Sequence, residues 1–370
     1  MIETDVLVIG GGVVGLSCLH KIPHQFSALL IEQHSGFGKE TSSRNSEVIH
    51  SGIYYPHGSK KTEQCKVGRN ELYRFCRENQ IPHRQCGKYV VATSPSEMEY
   101  LDTLASHCEY EVVPFQRISD TWLQKKLPLI KGEGALFFPL SGIVDSHSYM
   151  ACLERKAREA KRTISYHTQY LRVIDKAPWV VEVLENNQPL QIRAKVVVNA
   201  SGLAAARISN DFLSTQDYVH HFCRGRYFQL SASYRQQIQT LVYPTPRADG
   251  LGIHITPDIS GNLRLGPDSD WCKGSVLDNL GKYYDCDWDS LLPEFLAHVH
   301  RYWPSLPASD LVPGFIGLRP KLFIKGKPYS DFLVEEKDRF IHLLGIESPG
   351  LTASLSLGSE VSQLIEKISQ

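Results

Sequence analysis

The sequence predicts an α/β fold in two parts: a parallel sheet flanked by helices, and an antiparallel α+β unit inserted into it. Three observations carry this. The chain opens on an unbroken apolar strand, a glycine turn and a helix. It closes in the same style, with an apolar strand, a glycine turn and a helix. Between them lie short strand-like runs separated by Pro, Gly and Asp, the pattern of antiparallel strands and their turns. A length of 370 residues favours two lobes and can bury most of its apolar surface.

Taken in order, residues 5–9 read as a strand, continuously apolar from Val6 to Ile9 as a parallel strand buried on both faces must be. Residues 13–22 read as a helix closed by Pro23. Residues 28–31 form a second apolar strand ending at Glu32, completing a βαβ unit. A helix is expected over 65–80, with Leu72, Phe75 and Cys76 at helical spacing, followed by a strand over 86–92. Asp145 is placed to cap a helix that carries Tyr149, Cys152 and Leu153 on one face. Strands follow at 179–184 and 194–199. The runs 227–230, 241–243, 251–256 and 263–265 supply the antiparallel sheet, and 291–302 a helix before Pro304. Residues 341–344 return to the parallel sheet. The last helix then presents Leu357, Val361, Leu364, Ile365 and Ile368 on one face. The expected division is 1–80, 141–215 and 318–370 for the parallel unit, and 81–140 and 216–317 for the inserted, substrate-side unit.

Lys plus Arg and Asp plus Glu each number 40, so the formal charge is zero. That balance argues against a partner that is nucleic acid or a strongly anionic membrane. The nine cysteines include no CxxC, and no Cys/His cluster has zinc spacing, so no metal is expected. They read as reduced thiols in a reducing compartment. The most apolar stretch, 6–19, contains four glycines and is too short for a transmembrane segment. No leader is expected, because residues 1–5 lead straight into the first strand. The expectation is a cytoplasmic protein, with peripheral membrane contact left open.

Gly10-Gly11-Gly12-Val13-Val14-Gly15 fits GxGxxG. Gly10 makes the tight turn, Gly12 lets a pyrophosphate approach the backbone, and Gly15 lets helix and strand pack closely. The N–H groups of the helix then face the phosphates. Glu32, 17 residues after Gly15, is placed to take the ribose hydroxyls of an adenosine. An acid there disfavours a 2′-phosphate without separating NAD from FAD. Three further segments favour FAD. Thr41-Ser42-Ser43-Arg44-Asn45-Ser46 offers hydroxyls and amides. The strand end Asn199-Ala200-Ser201-Gly202 allows close approach. The turn through Pro349-Gly350-Leu351-Thr352 opens a helix whose N–H groups suit negative charge on a flavin pyrimidine. Each of these is also compatible with an ordinary polar loop, strand-end turn or helix start.

At these residues the chain resembles the D-amino-acid-oxidase superfamily, and within it the L-2-hydroxyglutarate dehydrogenase and oxidase family. The resemblance spans nearly the whole chain. It is carried by the run Arg44 to Tyr55, by Gln85-Cys86-Gly87-Lys88 and by Ser141-Gly142-Ile143-Val144-Asp145. Arg224-Gly225-Arg226-Tyr227, the run Gly252 to Pro257, Leu265-Gly266-Pro267 and Glu347 to Thr352 carry it further. It implies a Rossmann-like FAD domain of the glutathione-reductase type and an antiparallel-sheet α+β substrate domain. It also implies FAD as cofactor, with contacts at Gln33 and Val173. The implied reaction is hydride transfer from C2–H of an L-2-hydroxy acid to flavin N5, giving the 2-oxo acid. The electron acceptor stays open between oxygen, a quinone and another carrier. Two departures stand out. Glu47 occupies a position where these dehydrogenases usually carry Gly, and Gly317-Leu318-Arg319-Pro320-Lys321 resembles the shorter bacterial members.

The resemblance makes Arg319 the clamp for the substrate carboxylate, a role suited to a guanidinium. His50 is a candidate base for the hydroxyl proton, with an orienting role or covalent flavin attachment as alternatives. His254 is a second candidate base or a plain sheet histidine. Tyr54 and Tyr55 stand where glycerol-3-phosphate dehydrogenases carry Arg-Tyr, and Tyr55 is a candidate hydrogen-bond donor to substrate. Lys321 or Arg226 is a candidate for a distal carboxylate, against a reading as solvated surface charge. Competing functions are an amine or amino-acid oxidase and a non-catalytic FAD-binding protein.

Overall fold

The computed structural model describes residues 1–246 and 252–370. Its first sheet has eight strands. Ile2–Ile9 lies at the centre, parallel to Gln188–Asn199 on one side and to Ala28–Ile31 on the other, with Thr163–Ser165 beyond. Thr168–Lys176, Trp179–Glu185 and Gln188–Asn199 form an antiparallel meander. Phe340–Leu344 rejoins the sheet in parallel beside Gln188–Asn199. The unbroken apolar character of the first strand has a direct cause. Val6 and Val8 pack against the helices Val13–Lys21, Ser146–Glu159 and Gly350–Ser369, while Leu7 and Ile9 face Trp179, Phe212 and Phe340 on the other side.

The second sheet has ten strands and is mostly antiparallel. Its spine is the ladder of Tyr218–Leu230 with Leu311–Ile324. Lys88–Ala92 joins it parallel to Leu241–Pro244 and antiparallel to Gly134–Phe138. Alternation along Lys88–Ala92 sends Tyr89 and Val91 to a core beneath the helix Trp288–His300, and Val90 and Ala92 to a core against the helix Pro95–Tyr110. A small third sheet ties Val48–Ile49 and His83–Arg84 to Gly142–Val144.

Several expectations shift. The helix expected over 65–80 is Lys60–Glu78, begun earlier because Ser59 caps it through Thr62 N–H. The helices Pro95–Tyr110 and Ala205–Leu213 and the edge strand Thr168–Lys176 were not foreseen. The run 227–230 is the end of Tyr218–Leu230, whose His and Arg residues hid its length. Of the strand expected over 251–256, residue 251 lies outside the described residues, and the observed strand is Ile255–Pro257. Leu311–Ile324 crosses the division expected at 317/318 and belongs throughout to the larger sheet. No helix among the described residues is long and apolar enough to cross a membrane. No cluster of three or more potential metal ligands occurs among them either.

Candidate active site

The glycine turn closes directly on the neighbouring strand end. Gly10 has φ +109°, and a Cβ there would meet Ala200 O at 2.6 Å. A Cβ on Gly15 would overlap the Gly10 carbonyl oxygen, so helix and strand touch backbone to backbone. The Glu32 carboxylate is buried and fixed at both oxygens: Gly11 N–H donates to Oε2 at 2.7 Å and His34 N–H to Oε1 at 2.9 Å. Each oxygen keeps lone-pair capacity for a hydroxyl. Val13–Lys21 has no side-chain cap of its own. Ser42 Oγ instead accepts from Val13 N–H at 3.0 Å.

Residues 41–46 are braced from within and from the opposite sheet. Asn45 Nδ2 donates to Ser42 O at 2.8 Å, and Thr41 Oγ1 donates to Leu318 O at 3.2 Å. Ser46 Oγ and the Tyr227 hydroxyl lie 3.0 Å apart, and Arg44 stacks over the Tyr284 ring at 4.1 Å. Glu47 resolves one departure noted above. Its φ is +57°, a conformation that favours glycine. The side chain offsets this strain. Oε1 accepts from Ser146 N at 3.1 Å and Ser146 Oγ at 2.8 Å, while Oε2 pairs with Arg264 Nη1 at 2.9 Å.

These segments wall a cavity of about 1010 Å³ that runs from Glu32 to Arg319. The glycine turn, the 41–46 loop, the 200–202 turn and the 349–351 turn all reach it, as do Gln33, His50, Tyr54, Tyr55 and His254. Four expected cofactor contacts stand behind the wall. Gly15 is spent on helix packing, and Ser43 turns away beside Gly38. Thr352 Oγ1 accepts from His50 N–H at 3.0 Å and donates to Val48 O at 3.2 Å, so it pins the His50 segment. Val173 N–H is taken by Asp211 Oδ2 at 3.1 Å. The wall from that strand comes instead from Thr168, Gln169 and Tyr170.

At the far end, Arg319 sits opposite Cys223 in the long ladder. Its Nη2 donates to Asp268 O at 2.6 Å and to Arg224 O at 3.2 Å, which fixes one edge of the guanidinium. Its Nε is buried and donates to nothing among the described residues. His50 lies half-buried on the same cavity, with Nε2 3.2 Å from Ser348 Oγ. Burial first, then the charges of Lys88 and His254, hold its imidazole well below the ordinary histidine range, so it is neutral. Burial pushes the Tyr55 phenol up, and its hydroxyl shares Ser348. His254 is buried and stacks on Tyr243, with ring centroids 3.4 Å apart and planes 11° apart.

Four basic side chains need a fuller account than the sequence supplied. Arg226 is consumed by Asp268, with Nε to Oδ2 at 2.7 Å, and by Asp270. Lys321 meets Glu347 at 2.7 Å, and Lys61, not foreseen, meets the same carboxylate at 3.1 Å. Burial would raise the Glu347 carboxyl, but the two lysines outweigh it and hold it below the ordinary range. Lys88 was singled out only as part of a motif, and its surroundings are taken up below.

A glycine turn at the end of a parallel strand, a buried carboxylate and a held guanidinium, all on one cavity, fit a flavin-type dinucleotide oxidoreductase. The chain belongs to the FAD-dependent oxidoreductase (DAO) family, whose model matches residues 5–364. It is similar to the mitochondrial L-2-hydroxyglutarate dehydrogenase of Arabidopsis thaliana, at 33% identity over 97% of this chain and 83% of that protein. The L-2-hydroxyglutarate dehydrogenase of Escherichia coli K12 is 28% identical over 98% of this chain and 93% of that one. Among solved structures, an L-α-glycerophosphate oxidase from Mycoplasma pneumoniae with FAD bound shares the fold, with a TM-score of 0.87 at 22% identity over 99% of this chain and 95% of that one. A glycine oxidase from Geobacillus kaustophilus does so with a TM-score of 0.82 at 19% identity, over 99% and 95% of the two chains. FAD is the cofactor of this enzyme. The residues present fit it: Gly10 and Gly12 line the cavity with no side chain of their own, and the cavity lies at the upper end of the range for ligand sites.

Proposed function

We propose that this enzyme oxidises an L-2-hydroxy acid, L-2-hydroxyglutarate foremost, to the 2-oxo acid. The observation that carries this is an anchored guanidinium with an unused buried Nε, sharing a cavity with the His50 imidazole. The names of the curated relatives support the same substrate. Arg319 takes the C1 carboxylate on its unused edge and fixes the α-carbon. Neutral His50 accepts the hydroxyl proton, and Ser348 holds the ring in place. Tyr55, beside Ser348, offers its hydroxyl to the substrate. His254 shapes the wall through its stack on Tyr243 and is the second candidate base. Bound FAD supplies the two-electron acceptor for the hydride. Two lysines against one glutamate leave one positive charge on the wall, which favours a second substrate carboxylate.

The glycine turn, Glu32 and the 41–46, 200–202 and 349–351 segments would hold the cofactor. The electrons then leave to oxygen, a quinone or a carrier protein, a choice that steady-state assays with each acceptor decide. The spacing of the nine cysteines, with no CxxC among them, favours a reducing, cytoplasmic setting. The test is an anaerobic titration. L-2-hydroxyglutarate bleaches the oxidised-flavin band, and glycine and sarcosine do not. Bleaching by an amine alone overturns the substrate reading.

A further inference from the structure

Lys88 is a lysine with no solvent exposure. It opens the strand Lys88–Ala92 and sits between Leu241 and Phe138 in the sheet. Its Nζ donates to no acceptor among the described residues. It lies 4.1 Å from the centre of the Tyr243 ring and 5.7 Å from that of Tyr54. The same Tyr243 ring carries His254 stacked against it, and His254, Tyr243, Tyr54 and His50 all line the cavity. Lys88 does not line it. An amino group is therefore sealed one aromatic ring behind the catalytic wall.

A buried ammonium normally has a carboxylate or carbonyl partner, because an unpaired charge in an apolar setting is costly. Here no anion among the described residues pairs with it. The groups whose ionisation would favour a charged Lys88 are Cys65 and Cys86. Burial pushes both thiols up, Cys65 to about 12, so neither is charged near neutrality. Burial likewise raises the phenols of Tyr54, Tyr55 and Tyr243. Glu347, on the far side of Tyr55, is already held by Lys61 and Lys321. The remaining titratable neighbours of His50 are His254 and Lys88 itself. What Lys88 contributes to this wall is thus a positive charge, faced among the described residues by the Tyr243 and Tyr54 rings.

We propose that Lys88 is a positioning residue for the oxidation: its amino group, sealed behind Tyr243, keeps the His50 imidazole in its proton-accepting form. The ammonium and an imidazolium repel each other across an apolar gap, so while Lys88 holds its proton His50 is held without one. Burial pushes Lys88 down to about 7, so it carries its charge in the acidic range where an ordinary histidine would protonate.

The inference rests on the hydroxy-acid reading only for why a base is needed, and its test needs no substrate. Histidine-selective ¹⁵N labelling of the FAD-loaded protein follows the His50 ring through pH, with His50→Asn identifying its signal. In the wild type His50 stays neutral through the ordinary histidine range, and its signal shifts slightly near pH 7 as Lys88 loses its proton. In Lys88→Met the ring titrates at clearly higher pH, and the acidic limb of anaerobic flavin bleaching by L-2-hydroxyglutarate moves up with it. His50 titrating normally in the wild type overturns the proposal, as does a signal flat through neutral pH. An unchanged titration in folded Lys88→Met also overturns it. If Lys88→Met does not fold, the two wild-type readings decide. Absence of bleaching in the wild type strikes the substrate reading and leaves the titration result standing.

Discussion

Replacing Arg319 with Met removes the proposed carboxylate clamp while keeping an unbranched chain of similar reach. The structure sets the scale. Nη2 is tied to Asp268 O and Arg224 O, so the guanidinium is already oriented and little ordering is left for substrate to impose. Two charge-assisted hydrogen bonds are each worth about 1.5–3 kcal/mol. The gross loss is then roughly 3–6 kcal/mol, part of which the freed carboxylate recovers from water. A net loss of about 3 kcal/mol corresponds to substrate binding weaker by roughly 100-fold or more. Arg319→Lys keeps the charge but not the planar fork, so it falls between the two. The assay is anaerobic stopped-flow bleaching of the flavin over a range of L-2-hydroxyglutarate concentrations, which separates Kd from the limiting rate. FAD content and Tm report whether the unpaired carbonyls disturb the fold. A folded, FAD-loaded Arg319→Met protein whose Kd rises less than about threefold refutes the clamp.

His50→Gln should slow the limiting bleaching rate by about 100- to 10,000-fold with FAD content unchanged, and an undiminished rate removes His50 as the base. Because its folded-state pKa lies below the ordinary value, the proton-accepting form persists as pH falls, so wild-type bleaching should hold steady from about pH 8 to about pH 6. Glu47→Gly relieves the positive φ but loses the contact to Ser146 and leaves Arg264 without Glu47, a net destabilisation of about 1–2 kcal/mol. Glu47→Ala keeps the strain and should be about 1 kcal/mol worse than Gly by chemical denaturation; an alanine variant as stable as the glycine one contradicts the strain. Lys88 is depressed from 10.5 to about 7, so between those values the unfolded chain holds a proton the folded one does not, and native stability is withheld below the higher value. The penalty at neutral pH has an upper bound of about 5 kcal/mol. Lys88→Met should therefore raise Tm by several degrees, and a lower Tm at neutral pH speaks against an uncompensated charge.

The features legible in the sequence are those whose chemistry is local. The glycine turn and Glu32 announce themselves because a tight turn, a helix start and a strand-end acid must follow one another along the chain. Glu47 was visible as a departure, but its left-handed backbone and its tie to Arg264 are tertiary. Val173 was placed on the cofactor wall by resemblance and Thr352 by its place in a helix-opening turn; the bonds that take them elsewhere, to Asp211, His50 and Val48, join residues 38 to 304 positions apart. The strand Tyr218–Leu230 was cut short because its His and Arg residues break the apolar pattern, although its ladder with Leu311–Ile324 pairs it along its length. Lys88 had a readable signal, a lysine opening the apolar run Tyr89-Val90-Val91-Ala92. Only the packing shows that the lysine is inside.

The central claim is tested most directly by titrating the purified, FAD-loaded protein without oxygen, following the oxidised-flavin absorbance. L-2-hydroxyglutarate, its D-isomer, L-lactate, glycerol 3-phosphate, glycine and sarcosine are added separately. Full bleaching by L-2-hydroxyglutarate is expected, with little or none by the amines and the D-isomer. Bleaching by an amine with none by any hydroxy acid contradicts it.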